Sequence, residues 1–363
     1  MDRFVFFTSL PEVGGHTTIT VGLLRLVRGW FGRVLVVVKE MPGHGTSASA
    51  LEALAGMGVE TMVLNGKAGL PRVLQWAGLV RWRRPAVFLA MGMRHLSPVL
   101  ALLLGARQSF YYHITHDLGG RVGGMLRSYA RFFTAIGFIS PATERIWGAR
   151  EGRGVRTFSV TQPIDWEPGE PVRIPDEGPP RFGFIGRLNE GKGCGILVRF
   201  VETCVVPCSL RVAGAGEYAA RFKGLASGGQ AVRVRFDGAF PPEERGKYLA
   251  DFFAEIDYLV VPSQDDLEGI PTVILEALSA GVPAVVTRAG GMEAFDFPEF
   301  GCGRSPCLRL VAKEDVEASL FRLAVEPRPE AEVREACRSY FRTRFSEGAV
   351  RAVWEKLLRG RMS

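Results

Sequence analysis

The stretch VPSQDDLEGIPTVILEALSAGVPAVVTRAGGME, residues Val261–Glu293, decides the fold. It begins where a continuous apolar run from Tyr258 to Val261 meets Pro262. Gly269 and Pro271 mark a turn, and proline suits a helix start because the N–H it lacks would have no partner there. A mostly apolar helical pattern then runs from Thr272 to Ala280, Gly281 closes it, and Ala284–Thr287 reads as the next strand. Strands apolar along their whole length, joined through a helix, predict parallel strands covered on both faces. Two carboxylates mark the chemistry of this unit. Glu268 precedes the helix and Glu276 falls about one turn into it, so both can face one pocket. The helix start offers unpaired N–H groups to a phosphate or hydroxyl. Carboxylates accept hydrogen bonds from paired hydroxyls, as in a sugar or a ribose. Glu276 sits between Leu275 and Ala277, where an idle charge would be costly.

Two further turns precede this stretch. Gly186-Arg187-Leu188-Asn189-Glu190-Gly191-Lys192-Gly193 follows a strand candidate and opens a helix. A glycine turn lets backbone approach an anion, Arg187 supplies a planar fork and Lys192 a point charge, which suits a diphosphate. Taken alone, the same residues also describe an ordinary turn with two solvated cations. Val212-Ala213-Gly214-Ala215-Gly216-Glu217 has the form G-x-G-x-x-A through Ala219, a dinucleotide-type fingerprint. It sits on the second strand of its domain, and Glu217 is unfavourable beside a pyrophosphate. It reads as a tight turn lining a nucleotide pocket, or as a packing turn.

Strand candidates in the second half are 182–185, 209–213, 232–236, 258–261 and 284–287. Helical patterns lie at 193–202, 217–226, 243–253, 272–280, 314–323, 330–344 and 347–359. The first half has the same alternation, with strands at 4–8, 34–38, 60–64, 86–90, 109–114, 134–139 and 155–160. Its helices are expected at 15–28, 48–56, 71–83, 124–133 and 141–149. Six prolines between Pro163 and Pro180 separate the halves. The fold class is therefore α/β, with two doubly wound domains. The boundaries expected are 1–165, a linker over 166–180, a second domain over 181–340, and a C-terminal helix in 341–363.

Together these motifs resemble the nucleotide-binding domain of GT-B glycosyltransferases of family 4. The resemblance rests on G-R-L-x(3)-K-G, the strand-G-x-G turn, the E-G-x-P form of Glu-x7-Glu, E-A-x(3)-G-x-P and Gly-Gly-x-Glu. It is strong over about 181–296 and looser elsewhere. It implies a GT-B architecture of two Rossmann-like domains facing a cleft, with the C-terminal helix packing back on the first domain. Arg187 and Lys192 would bind the donor diphosphate, and Glu276 the ribose hydroxyls. Glu268, with the backbone of Gly269, Ile270 and Pro271, would hold the donor sugar. Gly214 and Gly216 would border the base. In the first half, Gly14 and Gly15 match a glycine-rich loop near the phosphates and acceptor, beside His16 on the acceptor side. His116 resembles the family's histidine facing the donor sugar, with His113 as the competing assignment. Ser140, before a helix, resembles a structural serine. The resemblance implies retention at the anomeric carbon, with the leaving phosphate taking the acceptor proton and no firm enzymic nucleophile.

No Asp-x-Asp occurs in the 363 residues, so a metal-dependent GT-A reading is disfavoured and neither metal nor cofactor is expected. All six cysteines lie beyond residue 193 and none forms Cys-x-x-Cys, which reads as buried thiols in a reducing cytoplasm. Phe4–Leu10 is too short for a signal core, and the run Leu96–Gly105 is about half a membrane span. A cytoplasmic location follows, with the inner face of a membrane as a further station.

Charge is unevenly placed. Residues 1–170 hold 19 basic and 11 acidic residues, and residues 171–363 hold 26 and 27, so the surplus belongs to the first half. Its basic residues cluster with aromatics at 25–33, 81–84 and 121–133. Such clusters suit an anionic membrane carrying a lipid-linked acceptor, or nucleic acid, or are solvated arginines over a buried face. The leading expectation is a transferase from a nucleoside-diphosphate sugar to an anionic or membrane-held acceptor. The alternatives are a nucleic-acid base or small secondary metabolite as acceptor, and a non-catalytic nucleotide-sugar binding protein.

Overall fold

A computed structural model describes residues 2–11, 15–40, 46–64, 78–92, 96–116, 118–151, 155–164, 166, 168, 178–240, 244–296 and 307–360. The chain forms two units, 1–165 with 346–363, and 166–345.

The first unit is built on a seven-stranded sheet ordered β3-β2-β1-β4-β5-β6-β7. Its strands are β1 (Arg3–Thr8), β2 (Arg33–Lys39), β3 (Glu60–Leu64), β4 (Val87–Met91), β5 (Gln108–His113), β6 (Ala135–Phe138) and β7 (Arg156–Ser159). Every pairing is parallel. β1, β2 and β4 are buried nearly throughout, as helices on both faces require. The helices are α1 (Gly15–Val27), α2 (Ala48–Gly56), α3 (Ser97–Leu104), α4 (Gly120–Ala130) and α5 (Pro141–Glu151). The Ser47 hydroxyl accepts the Ala50 N–H at 3.2 Å and starts α2.

α3 is a finding the apolar run did not disclose. Eight residues without polar alternation carry no helical period, but Pro98 in the first turn and left-handed Gly105 (φ 56°) after the last supply start and stop. Of the helix expected over 71–83, residues 71–77 lie outside the described residues, and 78–80 are helical.

The second unit carries β8 (Arg181–Ile185), β9 (Cys208–Ala213), β10 (Val232–Gly238), β11 (Tyr258–Val261), β12 (Ala284–Thr287) and β13 (Leu308–Val311), ordered β10-β9-β8-β11-β12-β13 and all parallel. Its helices are α6 (Cys194–Thr203), α7 (Ala219–Leu225), α8 (Arg245–Ala254), α9 (Thr272–Ala280), α10 (Val316–Val325) and α11 (Ala331–Arg344). β13 was not anticipated. It is a four-residue edge strand with Arg309 exposed, too short for a visible alternation. The unit runs on to Phe345, where buried Phe341 and Phe345 keep the end of α11 against it.

The last helix, α12 (Glu347–Arg359), belongs to the first unit. Val350, Trp354 and Leu358 enter the core formed by β1, β2, α1 and α2. The Trp354 ring meets Tyr112 edge-on at 5.1 Å.

Asp257, fully buried just before β11, gathers three guanidinium groups at the amino ends of the second sheet. Arg181, Arg328 and Arg334 reach its carboxylate at 3.1, 2.7 and 2.9 Å. Burial alone would raise its pKa, but hydrogen bonds and charge from Arg181 and Arg328 hold it below the usual carboxylate range. Five cysteines, Cys194, Cys204, Cys208, Cys307 and Cys337, are free and buried.

Candidate functional site

Each sheet changes winding direction beside its first strand, at β1/β4 in one unit and β8/β11 in the other. Ligands of doubly wound sheets bind outside the carboxyl ends at such points. Arg187 and Lys192 lie in the loop that leaves β8, and Glu268 in the loop that leaves β11.

In the second unit the chain leaves β8 at Gly186. Arg187 is exposed, and fully buried Leu188 anchors the loop. The Asn189 side chain accepts the Lys192 N–H at 3.0 Å and closes a short turn before α6. The loop after β11 is stitched to it, with the Gln264 N–H donating to the Gly191 carbonyl at 2.8 Å. This brings Lys192 and Glu268, far apart in sequence, into an ion pair. The second carboxylate oxygen of Glu268 accepts the Ser263 hydroxyl at 2.6 Å. Burial and the neighbouring Arg187 charge lower the Lys192 ammonium to about 8, against the pull of Asp265. The Gly291 N–H donates to the Glu268 carbonyl at 2.8 Å, so the Gly-Gly turn after β12 braces the loop from behind.

Ile270 is buried and pins the chain before Pro271, whose extended backbone (φ −62°, ψ 130°) caps α9. Gly269 lies half-buried between Glu268 and Ile270. The first N–H groups of α9 have no intrahelical acceptor. Glu276 projects from α9 with 1% of its surface exposed, and Arg245, the first residue of α8, forms an ion pair with it. Sequence reasoning had not singled out Arg245. The signal was the cost of a buried carboxylate, which calls for a cation from a neighbouring helix.

Gly214 and Gly216 have a packing explanation of their own. Both have positive φ (137° and 148°), and a Cβ would stand 1.8 Å from the Gly186 carbonyl oxygen and 2.4 Å from that of Leu188. Only glycine lets the turn after β9 lie against the loop after β8. The Leu188 N–H donates to the Ala215 carbonyl there, at 2.8 Å.

In the first unit, Gly14 lies outside the described residues, and Gly15 is the first residue of α1. His16 sits between the ends of β1 and β4. Its Nδ1 lies 2.9 Å from the Ser9 carbonyl oxygen, which can only accept, so Nδ1 carries the proton. Burial lowers its pKa against that hydrogen bond, and with the proton on Nδ1 the neutral form of the ring presents Nε2 as an acceptor. Nε2 faces Gly92, where a Cβ would stand 2.6 Å away.

His113, 3% exposed, stacks on Tyr111 and meets Phe138 edge-on. His116 lies beyond the end of β5, half-buried, with Nδ1 3.0 Å from the Thr143 hydroxyl. Thr143 in turn lies 2.9 Å from the Ser140 hydroxyl, which also accepts the Thr143 N–H at the start of α5. Among the described residues no group of three or more His, Cys, Asp or Glu could hold a metal ion.

Residues 179–320 match the family model of glycosyl transferases group 1. A D-inositol 3-phosphate glycosyltransferase of Corynebacterium jeikeium is 35% identical over 122 residues, 31% of this chain and 28% of that protein. The amylovoran biosynthesis glycosyltransferase AmsK of Erwinia amylovora is 31% identical over 125 residues, 31% of this chain and 29% of that protein. The matched segment thus spans less than a third of these relatives. Among solved structures, Anabaena Alr3699/HepE in complex with UDP and glucose superposes with a TM-score of 0.71 at 15% identity, over 99% of this chain and 100% of that one. That likeness is one of fold. Residues 179–320 thus match the group 1 glycosyltransferases, and the chain has the GT-B fold of two Rossmann-like domains.

Proposed function

We propose that the protein is a retaining glycosyltransferase. It moves a sugar from a nucleoside-diphosphate sugar to an anionic or membrane-held acceptor, in glycolipid or surface-polysaccharide synthesis. One observation carries the reading: within the segment that matches the family, Arg187, Lys192, Glu268 and Glu276 gather at one switch point and one helix start. The amylovoran relative supports the polysaccharide assignment, and the UDP complex of the structural relative supports a nucleotide-sugar donor.

In this reading Arg187, Lys192 and the amino end of α9 neutralise the departing diphosphate, with no metal required. Glu276, held by Arg245, takes the ribose hydroxyls, and Gly214 and Gly216 border the base. Glu268 and the backbone of Gly269, Ile270 and Pro271 take the donor sugar. Gly14 and His16 serve the acceptor. Both Glu268 oxygens are engaged, by Lys192 and by Ser263, which suits a hydrogen-bonding role rather than a nucleophile. The leaving phosphate takes the acceptor proton. The enzyme would work in the cytoplasm or at the inner face of a membrane. No helix among the described residues is long and apolar enough to cross one.

Thermal-shift screening against UDP-, GDP-, ADP- and dTDP-sugars tests the donor. A ligand at 100 times its Kd adds about 2.7 kcal/mol. Lys192→Ala and Glu276→Ala should each abolish that shift and sugar transfer, and full transfer in both variants would sink the assignment. Transfer that survives EDTA is expected.

A further inference from the structure

We propose that Arg211 is a positioning residue for the nucleoside site, because its guanidinium fixes α8 on the second sheet and thereby sets where Arg245 meets Glu276. The proposal rests on Glu276 as the carboxylate that takes the ribose hydroxyls.

Arg211 lies on β9 between buried Leu210 and Val212 and is itself 5% exposed. A cation buried in a parallel strand is costly unless charge and hydrogen bonds surround it. They do so here. Nε donates to Asp237 Oδ2 on β10 at 2.7 Å, and Nη2 to Asp251 Oδ2 on α8 at 2.8 Å. Nη1 donates to the Asp251 carbonyl and to Glu255 Oε2, just beyond α8, both at 3.1 Å. The guanidinium also stands over the Tyr248 and Phe252 rings of α8, 5.6 and 5.1 Å from their centres. Tyr248 completes the cluster by donating its hydroxyl to Asp237 Oδ2 at 2.7 Å. Burial would raise the Asp237 pKa, but hydrogen bonds from Tyr248 and Arg211 hold it below the usual carboxylate range.

This clamp reaches both parts of the nucleoside site. Asp237 is next to Gly238, whose carbonyl accepts the Gly214 N–H at 2.8 Å, so the end of β10 holds the glycine turn. Arg245 lies three residues before Tyr248 on α8, close to it on the helix surface, and α8 packs against α9, which carries Glu276. A slide or roll of α8 would carry Arg245 away from that carboxylate.

Position, more than stability, is what such a group supplies. A buried ion network adds little net stability over apolar packing of the same volume. A planar fork with fixed bond directions sets where its partners stand, which the point charge of a lysine does not.

Isothermal titration of the full chain with UDP, GDP, their 2′-deoxy forms and inorganic pyrophosphate tests the proposal. The variants are Arg211→Met, Arg211→Lys and Asp251→Asn, the last on a side chain that is 57% exposed and so unlikely to disturb folding. Wild type should prefer the ribose form of the nucleotide it binds. Arg211→Met and Arg211→Lys should weaken that ribonucleotide about tenfold and bring its affinity close to that of the 2′-deoxy form. Asp251→Asn should act in the same direction by about threefold. Pyrophosphate affinity should stay as in wild type, because Arg187 and Lys192 belong to another loop. Arg211→Met added to Arg245→Ala should cost no further affinity, because both act through Glu276. An unchanged ribose preference in all three variants, additive losses in Arg211→Met/Arg245→Ala, or a matching loss of pyrophosphate affinity in Arg211→Met and Asp251→Asn would each overturn the proposal. Glu276→Gln keeps its failure apart from that of the ribose assignment. If Glu276→Gln retains the ribose preference, the assignment fails and takes the proposal with it. If Glu276→Gln loses the preference while the Arg211 and Asp251 variants keep it, the proposal alone fails.

Discussion

Glu276 is buried on an apolar helix, and its partner Arg245 comes from another helix, so the pair must be judged as a unit. Arg245→Ala leaves a carboxylate without its ion pair and should cost about 1–3 kcal/mol in denaturant unfolding. Adding Glu276→Ala should recover part of that loss without recovering nucleotide affinity, a coupling that a double-mutant cycle measures. Lys192 predicts a pH effect. With its ammonium near 8, charge is present below that pH and lost above it. UDP affinity should therefore fall as pH rises from 7 to 9.5, and Lys192→Arg should flatten the decline, because a guanidinium stays charged. Isothermal titration across that range reads both. At this scale the positions of Glu268, Arg187 and Lys192 in turns and of Glu276 on the following helix were legible in the sequence, because glycine and proline mark those turns. Arg245 was not. It stands among Glu243, Glu244 and Lys247 in an ordinary charged segment, and only the packing of α8 against α9 shows which of them matters.

Among the elements, α12 shows how far a helix can act from its neighbours in sequence. Trp354 is fully buried against Tyr112 in the first unit. Trp354→Ala should lower stability by about 3–5 kcal/mol through the cavity it leaves, seen as a fall in the denaturation midpoint. The Asp257 cluster predicts an acid response. Its carboxyl is held below its ordinary value, so its contribution is complete above about pH 4 and is lost as pH falls further. Asp257→Asn should lose stability at neutral pH, and its urea midpoint should fall less than that of wild type between pH 5 and 3. Strands such as β1, β2 and β11 were readable because continuous burial demands continuous hydrophobicity. α3 was not, because a helix with apolar residues on nearly every face has no period, and only its Pro98 and Gly105 punctuate it.

Across the whole molecule, the two sheets are wound alike and differ in charge. The second half is almost balanced in charge, and in the proposed reading its site needs only Arg187, Lys192 and a helix start to receive a diphosphate. UDP-sugar binding should therefore slow hydrogen exchange most in 186–192, 262–276 and the turn at 214–216, and mass-spectrometric exchange on the full chain would show it. The sequence by itself determined the class of the fold, the repeated strand–helix alternation and the position of the glycine turns and charged motifs, because these depend on local period, turn chemistry and short spacings. Tertiary structure alone decided that Lys192 meets Glu268, that Arg245 meets Glu276, and that α12 completes the first core. Each of these joins residues far apart in the chain, and sheet order, which no local pattern encodes, determines which of them become neighbours.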